Sequence, residues 1–268
     1  MQTKWSPLSV RMTYVLIPLL LILVAGCGQQ QEEVSAPDGS VETFSDVSEQ
    51  KRSVDPAATG TLKGTAFFDG EVPQPRVISV KGNPECALLH HNGEIIPEEI
   101  MVQDGRLQNV FVYIKEGLEG YSFSAPSEAI EIDNKNCVYV PHVTGAQVDQ
   151  PLVFLNSDST LHNVHAFPKN SKPFNLGLPF AGMKQTKKFS SPEVMVSLKC
   201  DVHPWMLGYV GVLPHPYFGV TKSDGSFELK GLPPGEYLVE AWHEKFGTQS
   251  QKVTIGSQET KEVEFRFQ

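Results

Sequence analysis

From residue 60 to the end of the chain, apolar side chains recur at every second position in short runs, and Gly, Pro and Asp separate the runs. A period of two is that of a strand with one buried face; a helix needs 3.6. Val263, Phe265 and Phe267 alternate with Glu262, Glu264 and Arg266. Thr221-Lys-Ser-Asp-Gly225 reads as a turn followed by alternation, and Gly231-Leu-Pro-Pro-Gly235 as another turn that leads into a strand ending near Trp242. Asn109-Val-Phe-Val-Tyr-Ile114 is a continuous apolar run, like that of a buried strand. No long helical pattern competes. The spacing predicts an all-β protein of short strands and tight turns, the signature of β-sandwiches.

The first 59 residues differ in kind. Residues 1–13 carry Lys4 and Arg11 and no acid, and an apolar stretch from Tyr14 to Ala25 follows. That order reads as a secretory signal and is too short for a membrane span of roughly 20 residues. It runs into Val24-Ala25-Gly26-Cys27, which resembles the lipobox of bacterial lipoproteins. The resemblance implies a signal peptide over 1–26 and lipidation of Cys27. It places the mature protein outside the cell membrane, lipid-anchored to that membrane or to an outer one. Residues 27–59 are rich in Gln, Glu, Ser and Asp and nearly free of aromatics, so they are expected to form a disordered tether.

Charge narrows the partners. The chain has 22 Lys and Arg against 31 Asp and Glu, a net charge of -9. Loss of Lys4 and Arg11 with the signal would make it about -11 (-9 minus 2). Nucleic acid is excluded as a partner, because neutralising phosphates needs a basic face.

Two family resemblances divide the remainder. Asp224-Gly-x-Phe-x-Leu-x-x-Leu-Pro-Pro-Gly235-x-Tyr237 resembles carboxypeptidase-regulatory-like, or transthyretin-like, modules, whose opening strand is matched by Gly64-Thr-Ala-Phe-Phe-Asp-Gly-Glu-Val-Pro73. Those two pieces, 60–118 and 215–268, are expected to form one sandwich, the alternative being two tandem domains of which the first is incomplete. Between them, over 125–213, Cys200-Asp-Val-His203-Pro-Trp-Met206 and Asn156-Ser-Asp-Ser-Thr-Leu-His162-Asn163 together resemble cupredoxins, amicyanin in particular. The resemblance implies two Greek-key β-sandwiches, with the cupredoxin domain inserted into the transthyretin-like one. It implies one type 1 copper held by His162, Cys200, His203 and Met206, with Asn163 tying the ligand loops together. A thiolate, two imidazoles and a thioether suit a copper that alternates between Cu(I) and Cu(II). Pro204, Trp205 and Leu207 then correspond to the apolar patch around an exposed ligand histidine where a partner docks. His165 points to the opposite strand face from His162 and is expected to be structural.

If lipid takes Cys27 and copper takes Cys200, Cys86 and Cys137 remain. In an oxidising compartment they can pair. A second metal site with His90, His91 or His142, or two free thiols, stays open as an alternative. His215 and His243 are expected to be structural. No hydrolase, Walker, zincin or dinucleotide motif is present. The reading is therefore a non-enzymatic carrier of single electrons, with a cytochrome c or a membrane oxidoreductase as partner. A surface copper carrier, or a carbohydrate-binding or adhesive lipoprotein, are the alternatives.

Overall fold

The protein, seen as a computed structural model, is described over residues 51–268; the expected signal peptide, Cys27 and most of the expected tether lie outside the described residues. Strand Gly60–Phe68 runs antiparallel to Ser226–Leu232 and parallel to Thr260–Phe267. The facing sheet holds Phe218–Val220, Phe111–Glu116, Gly235–His243 and Gly247–Ile255 in that order. Leu62, Ala66, Leu107, Val112, Ile114, Leu229, Val239, Ala241, Phe265 and Phe267 fill one core between these sheets. The two sequence pieces thus share one hydrophobic interior. The turn at 222–226 forms because Asp224 Oδ1 accepts the Ser226 N–H at 2.9 Å and Gly225 adopts φ +71°.

The second sandwich is made of the residues between those pieces. One sheet orders Lys184–Lys187, Leu152–Asn156, Ile130–Lys135 and Val138–Val140. The other orders Phe174–Leu178, His162–Phe167, Glu193–Lys199, Leu207–Leu213 and Val143–Gln147. Ile132, Phe154, Val164, Leu178, Phe189, Leu198 and Val210 lie between them, with Cys200 and Met206 at one end of the same core. Among the described residues the only α-helix is Pro84–Leu89. It belongs to a small third core of Val80, Cys86, Ile95 and Cys137, with Trp205 packed against it.

The apolar run 111–114 now has a physical reason. Val112 and Ile114 face the first core, while Phe111 and Tyr113 pack with Val143 and Leu213 of the second sandwich. The contact is closest where Gly145 and Gly211 pair across neighbouring strands. A Cβ on Gly211 would lie 2.3 Å from the Phe111 ring, and one on Gly145 2.4 Å from Phe218. Gly211→Ala is therefore expected to cost about 1–3 kcal/mol in urea unfolding, the usual penalty for overpacking. Gly177→Ala, with no neighbour within 4 Å of its Cβ, serves as the control and should lose nothing. Equal stability of the two variants would show that the aromatic contact yields freely.

The last residues of the expected tether, from 52 on, make defined contacts with the folded part. Arg52 N–H donates to Gly120 O at 2.9 Å, its carbonyl accepts from Ser122 N–H at 3.2 Å, and its guanidinium lies 4.9 Å from the Tyr121 ring centre. Asp55 caps a 3-10 turn over Pro56–Ala58. Low hydrophobicity does not exclude order when a neighbouring segment offers backbone partners and an aromatic face for a cation.

Candidate metal centre

His162 opens strand His162–Phe167, and Cys200 directly follows strand Glu193–Lys199, which pairs with it antiparallel. The chain then turns sharply: Met206 N–H donates to His203 O at 2.9 Å, and Cys200 N–H to Met206 O at 3.3 Å. This tight turn brings the Met206 backbone back to Cys200 and keeps His203 on the same loop. His162 Nδ1 and His203 Nδ1 are 3.0 Å apart, and Cys200 Sγ is 3.8 Å from His203 Nδ1. The donor atoms of His162, Cys200 and His203 all lie within 4.8 Å of one another. Met206 is buried in the same core as Cys200. Relative exposures of 0% for His162, 3% for Cys200, 2% for His203 and 1% for Met206 close the whole set to solvent.

The electrostatics favour a bound thiolate. Burial opposes ionisation of Cys200, but hydrogen bonds with His162 and His203 and from the Asn163 backbone outweigh it and lower the thiol to about 6. Asn163 also ties the ligand loops: its Oδ1 accepts the Asp201 N–H at 2.7 Å and the Cys200 thiol at 3.2 Å, and its Nδ2 donates to Asp201 Oδ2 at 2.8 Å. Tyr139 OH donates to Asn163 O at 2.6 Å. The two inward ring nitrogens cannot both carry protons at their separation. Soft sulfur and borderline nitrogen donors held this close, buried and partly ionised fit copper by the chemistry of the set.

Asp158 went unassigned in the sequence. Its Oδ2 lies 2.9 Å from His162 Nε2 and accepts the Cys137 N–H at 2.8 Å; its Oδ1 accepts the Asn136 N–H at 2.8 Å. Burial raises this carboxyl, but the bonds from His162, Cys137 and Asn136 hold it below its ordinary value. Asn156 fixes the loop by bonding Asp158 N, Thr160 O and Leu178 O. Such partners orient a ligand imidazole and leave its other nitrogen for the metal. The visible signal was the spacing Asn156-x-Asp158 with an acid four residues before His162. Asp158→Ala is expected to weaken copper retention about 10–100-fold. Competition with a chelator measures this, and unchanged retention would deny Asp158 that role.

The other candidates fall elsewhere. His165 stacks on Phe167 at 4.1 Å between centroids and meets Asp201 at 3.1 Å. Cys86 and Cys137 form a disulfide. His90 Nε2 lies 2.7 Å from Asn136 O, and His142 is held between Leu207 O and Glu244, so neither joins a second cluster with that pair. The expected docking patch needs correction. Pro204 is exposed, but Trp205 and Leu207 are half-buried, and His203 is not an exposed ligand. Cys86 Sγ sits 3.6 Å from His203 Nε2, and the Trp205 ring lies tilted with its centre 5.1 Å from that of His203 while its Nε1–H donates to Cys137 O at 2.9 Å. The third core, unpredictable from the ligand motifs, has covered the histidine.

Among solved structures, similarity is found to a copper-containing nitrite reductase from Thermus scotoductus (20% identity, 32% of this chain, 22% of that one, TM-score 0.30). It is also found to a purple cupredoxin from Nitrosopumilus maritimus (25%, 31% of this chain, 98% of that one, TM-score 0.27). A reduced amicyanin mutant gives 22% identity over 33% of this chain and 86% of its own, with a TM-score of 0.29. The comparison with curated proteins returns no match. Residues 215–268 match the family model of the carboxypeptidase regulatory-like domain.

Proposed function

We propose that this chain is an exported, lipid-anchored copper protein that carries single electrons. His162, Cys200, His203 and Met206 would hold the ion. The observation that carries this reading is the convergence of His162 Nδ1, Cys200 Sγ and His203 Nδ1 in a buried cluster, with Met206 buried in the same core as Cys200. Copper there would supply a one-electron couple. Asp158 and Asn163 hold the imidazole and the thiolate in place, so little needs to move when the charge changes. Four protein donors leave no open position for a substrate, which favours a carrier over an enzyme. Anchoring through Cys27 and an acidic surface fit a basic exported partner such as a cytochrome c, or a membrane oxidoreductase.

The test is optical. Equimolar Cu(II) added to the purified protein should raise an intense visible thiolate-to-copper charge-transfer band, and one-electron reduction should bleach it. Absence of the band in copper-loaded protein overturns the reading. A second reading, a surface copper carrier with no redox partner, is favoured by the cover over His203 Nε2. Electron exchange with a cytochrome c separates the two, since a carrier would show none.

A further inference from the structure

The disulfide Cys86–Cys137 lies against the far edge of the His203 imidazole and near His162. Cys86 Sγ is 3.6 Å from His203 Nε2. The Cys137 sulfur, an Asp158 oxygen and a His162 nitrogen are within 4.8 Å of one another. His203 therefore presents Nδ1 to the inner donors and Nε2 to the sulfur pair. Both cysteines are wholly buried. Cys86 rides on the six-residue helix Pro84–Leu89, in a stretch that belongs in sequence to the first sandwich, while Cys137 belongs to the second. Without the covalent bond, the cover is held to the second sandwich by packing and by polar contacts such as His90 to Asn136 O. A staple between two sandwiches has no need to place its sulfur on a ligand ring.

We propose that Cys86 and Cys137, once reduced, form with His203 Nε2 a loading site for a soft monovalent metal ion, Cu(I), which the disulfide then closes. This rests on, and deepens, the copper reading above. Opening is a thiol–disulfide exchange: an external dithiol becomes a disulfide, and Cys86 and Cys137 each gain a proton. Two thiols and an imidazole are a soft set that selects Cu(I). Binding releases both thiol protons to solvent, and no electron passes to or from the ion. With Cα atoms 5.8 Å apart, rotation about the Cα–Cβ bonds lets the sulfurs part to clasp an ion. His203 is common to both sets, so the ion passes inward without crossing solvent. As the ion leaves, Cys86 and Cys137 take two protons back from solvent, and a second exchange, with an external disulfide, re-forms Cys86–Cys137 and yields two external thiols. The donors are then sealed from water.

The experiment uses the full chain carrying Cys200→Ser, which removes the inner thiolate. Under anaerobic conditions it is titrated with Cu(I) against a coloured Cu(I) chelator, once dithiol-reduced and once oxidised. The reduced form should hold Cu(I) at least about tenfold more tightly than the oxidised form, a difference of about 1.4 kcal/mol. X-ray absorption should show sulfur bound to that copper. Adding Cys86→Ser and Cys137→Ser should abolish the difference. The oxidised-against-reduced comparison stands even if the serine variants fold poorly, because it uses one protein, whose fold circular dichroism follows in both states. Equal retention in the two states, or copper without sulfur neighbours, overturns the loading site. A reduced variant that binds Cu(I) while wild-type protein never colours would refute the inner centre alone; a coloured wild type with no state difference in the variant would refute the loading site alone.

Discussion

Cys200→Ser is expected to abolish the visible charge-transfer band of the copper-loaded protein completely. The band requires a thiolate on the ion. Cys200 is the free cysteine among the described residues, since Cys86 and Cys137 are bonded to each other. A serine hydroxyl does not ionise near neutrality, so the hydrogen bonds that lower the thiol to about 6 have no anion to stabilise. The set would change from thiolate, two imidazoles and thioether to one with a neutral hard oxygen, which copper prefers less. The fold should survive. Serine is slightly smaller than cysteine, and its hydroxyl can donate to Asn163 Oδ1 as the thiol does. Visible spectra and chelator competition on the folded variant read the result. A band that persists in Cys200→Ser would place the copper elsewhere and sink the assignment of all four ligands.

Much of this centre was legible because its chemistry is local. Cys200, His203 and Met206 sit on one turn, so spacing alone keeps them on one short loop. His162 required a second motif on a paired strand, and the antiparallel register His165 to Lys199 explains why it arrives beside Cys200. The all-β reading was legible for the same reason, since period-2 alternation reports a half-buried strand directly. What stayed hidden depends on non-local packing. The strand 111–114 showed its apolarity in the sequence, yet nothing there named the Gly145 and Gly211 pair as the surface that receives Phe111 and Phe218. The helix Pro84–Leu89 covers His203 from more than a hundred residues away, and no local pattern encodes that contact. Asp158 was visible as an acid near His162, but its bonds to Asn136 and Cys137 appear only once strands Ile130–Lys135 and Leu152–Asn156 pair in parallel.

The cover also changes what the first sequence piece, residues 60–118, does for the site. A cysteine from the first sequence piece seals the histidine of the second sandwich. Under the proposed function, an electron that reached the centre through His203 would have to cross the third core or pass by Trp205, which is half-buried and lies against the histidine ring. Trp205→Leu should lower the rate of electron exchange with a cytochrome c and leave the visible band in place. An unchanged rate would exclude Trp205 from the route.

Acid is expected to destabilise the metal-free protein steeply between pH 6.5 and 4, and His243 should account for about 3 kcal/mol of the loss. Burial lowers His243 to about 4, with smaller contributions from His142 and Lys245, and burial likewise lowers His215 to about 4 against the opposing pull of the Ile114 carbonyl. The hydrogen bonds agree. His215 Nδ1 accepts the Tyr217 N–H at 3.2 Å, and His243 Nδ1 accepts the Lys245 N–H at 3.2 Å, so protonating either Nδ1 would set two donors face to face. Above pH 6.5 each ring is neutral in both folded and unfolded chains and contributes no slope. Between 6.5 and 4 the unfolded chain binds a proton that the folded chain refuses, so stability falls as pH falls. A depression from 6.5 to about 4, at about 1.4 kcal/mol per unit, is worth about 3.5 kcal/mol in full, of which about 3 kcal/mol is lost by pH 4, where the folded ring is half protonated. His243→Phe isolates it. The replacement keeps an aromatic ring against Phe246, which His243 stacks on at 4.7 Å, and removes an Nε2 that has no partner. Urea unfolding from pH 7 to 4 should show the wild type losing about 3 kcal/mol more than His243→Phe, because every other titrating group contributes equally to both curves. Parallel curves would mean that His243 is protonated in the folded protein, and that the first sandwich tolerates a charge at its centre.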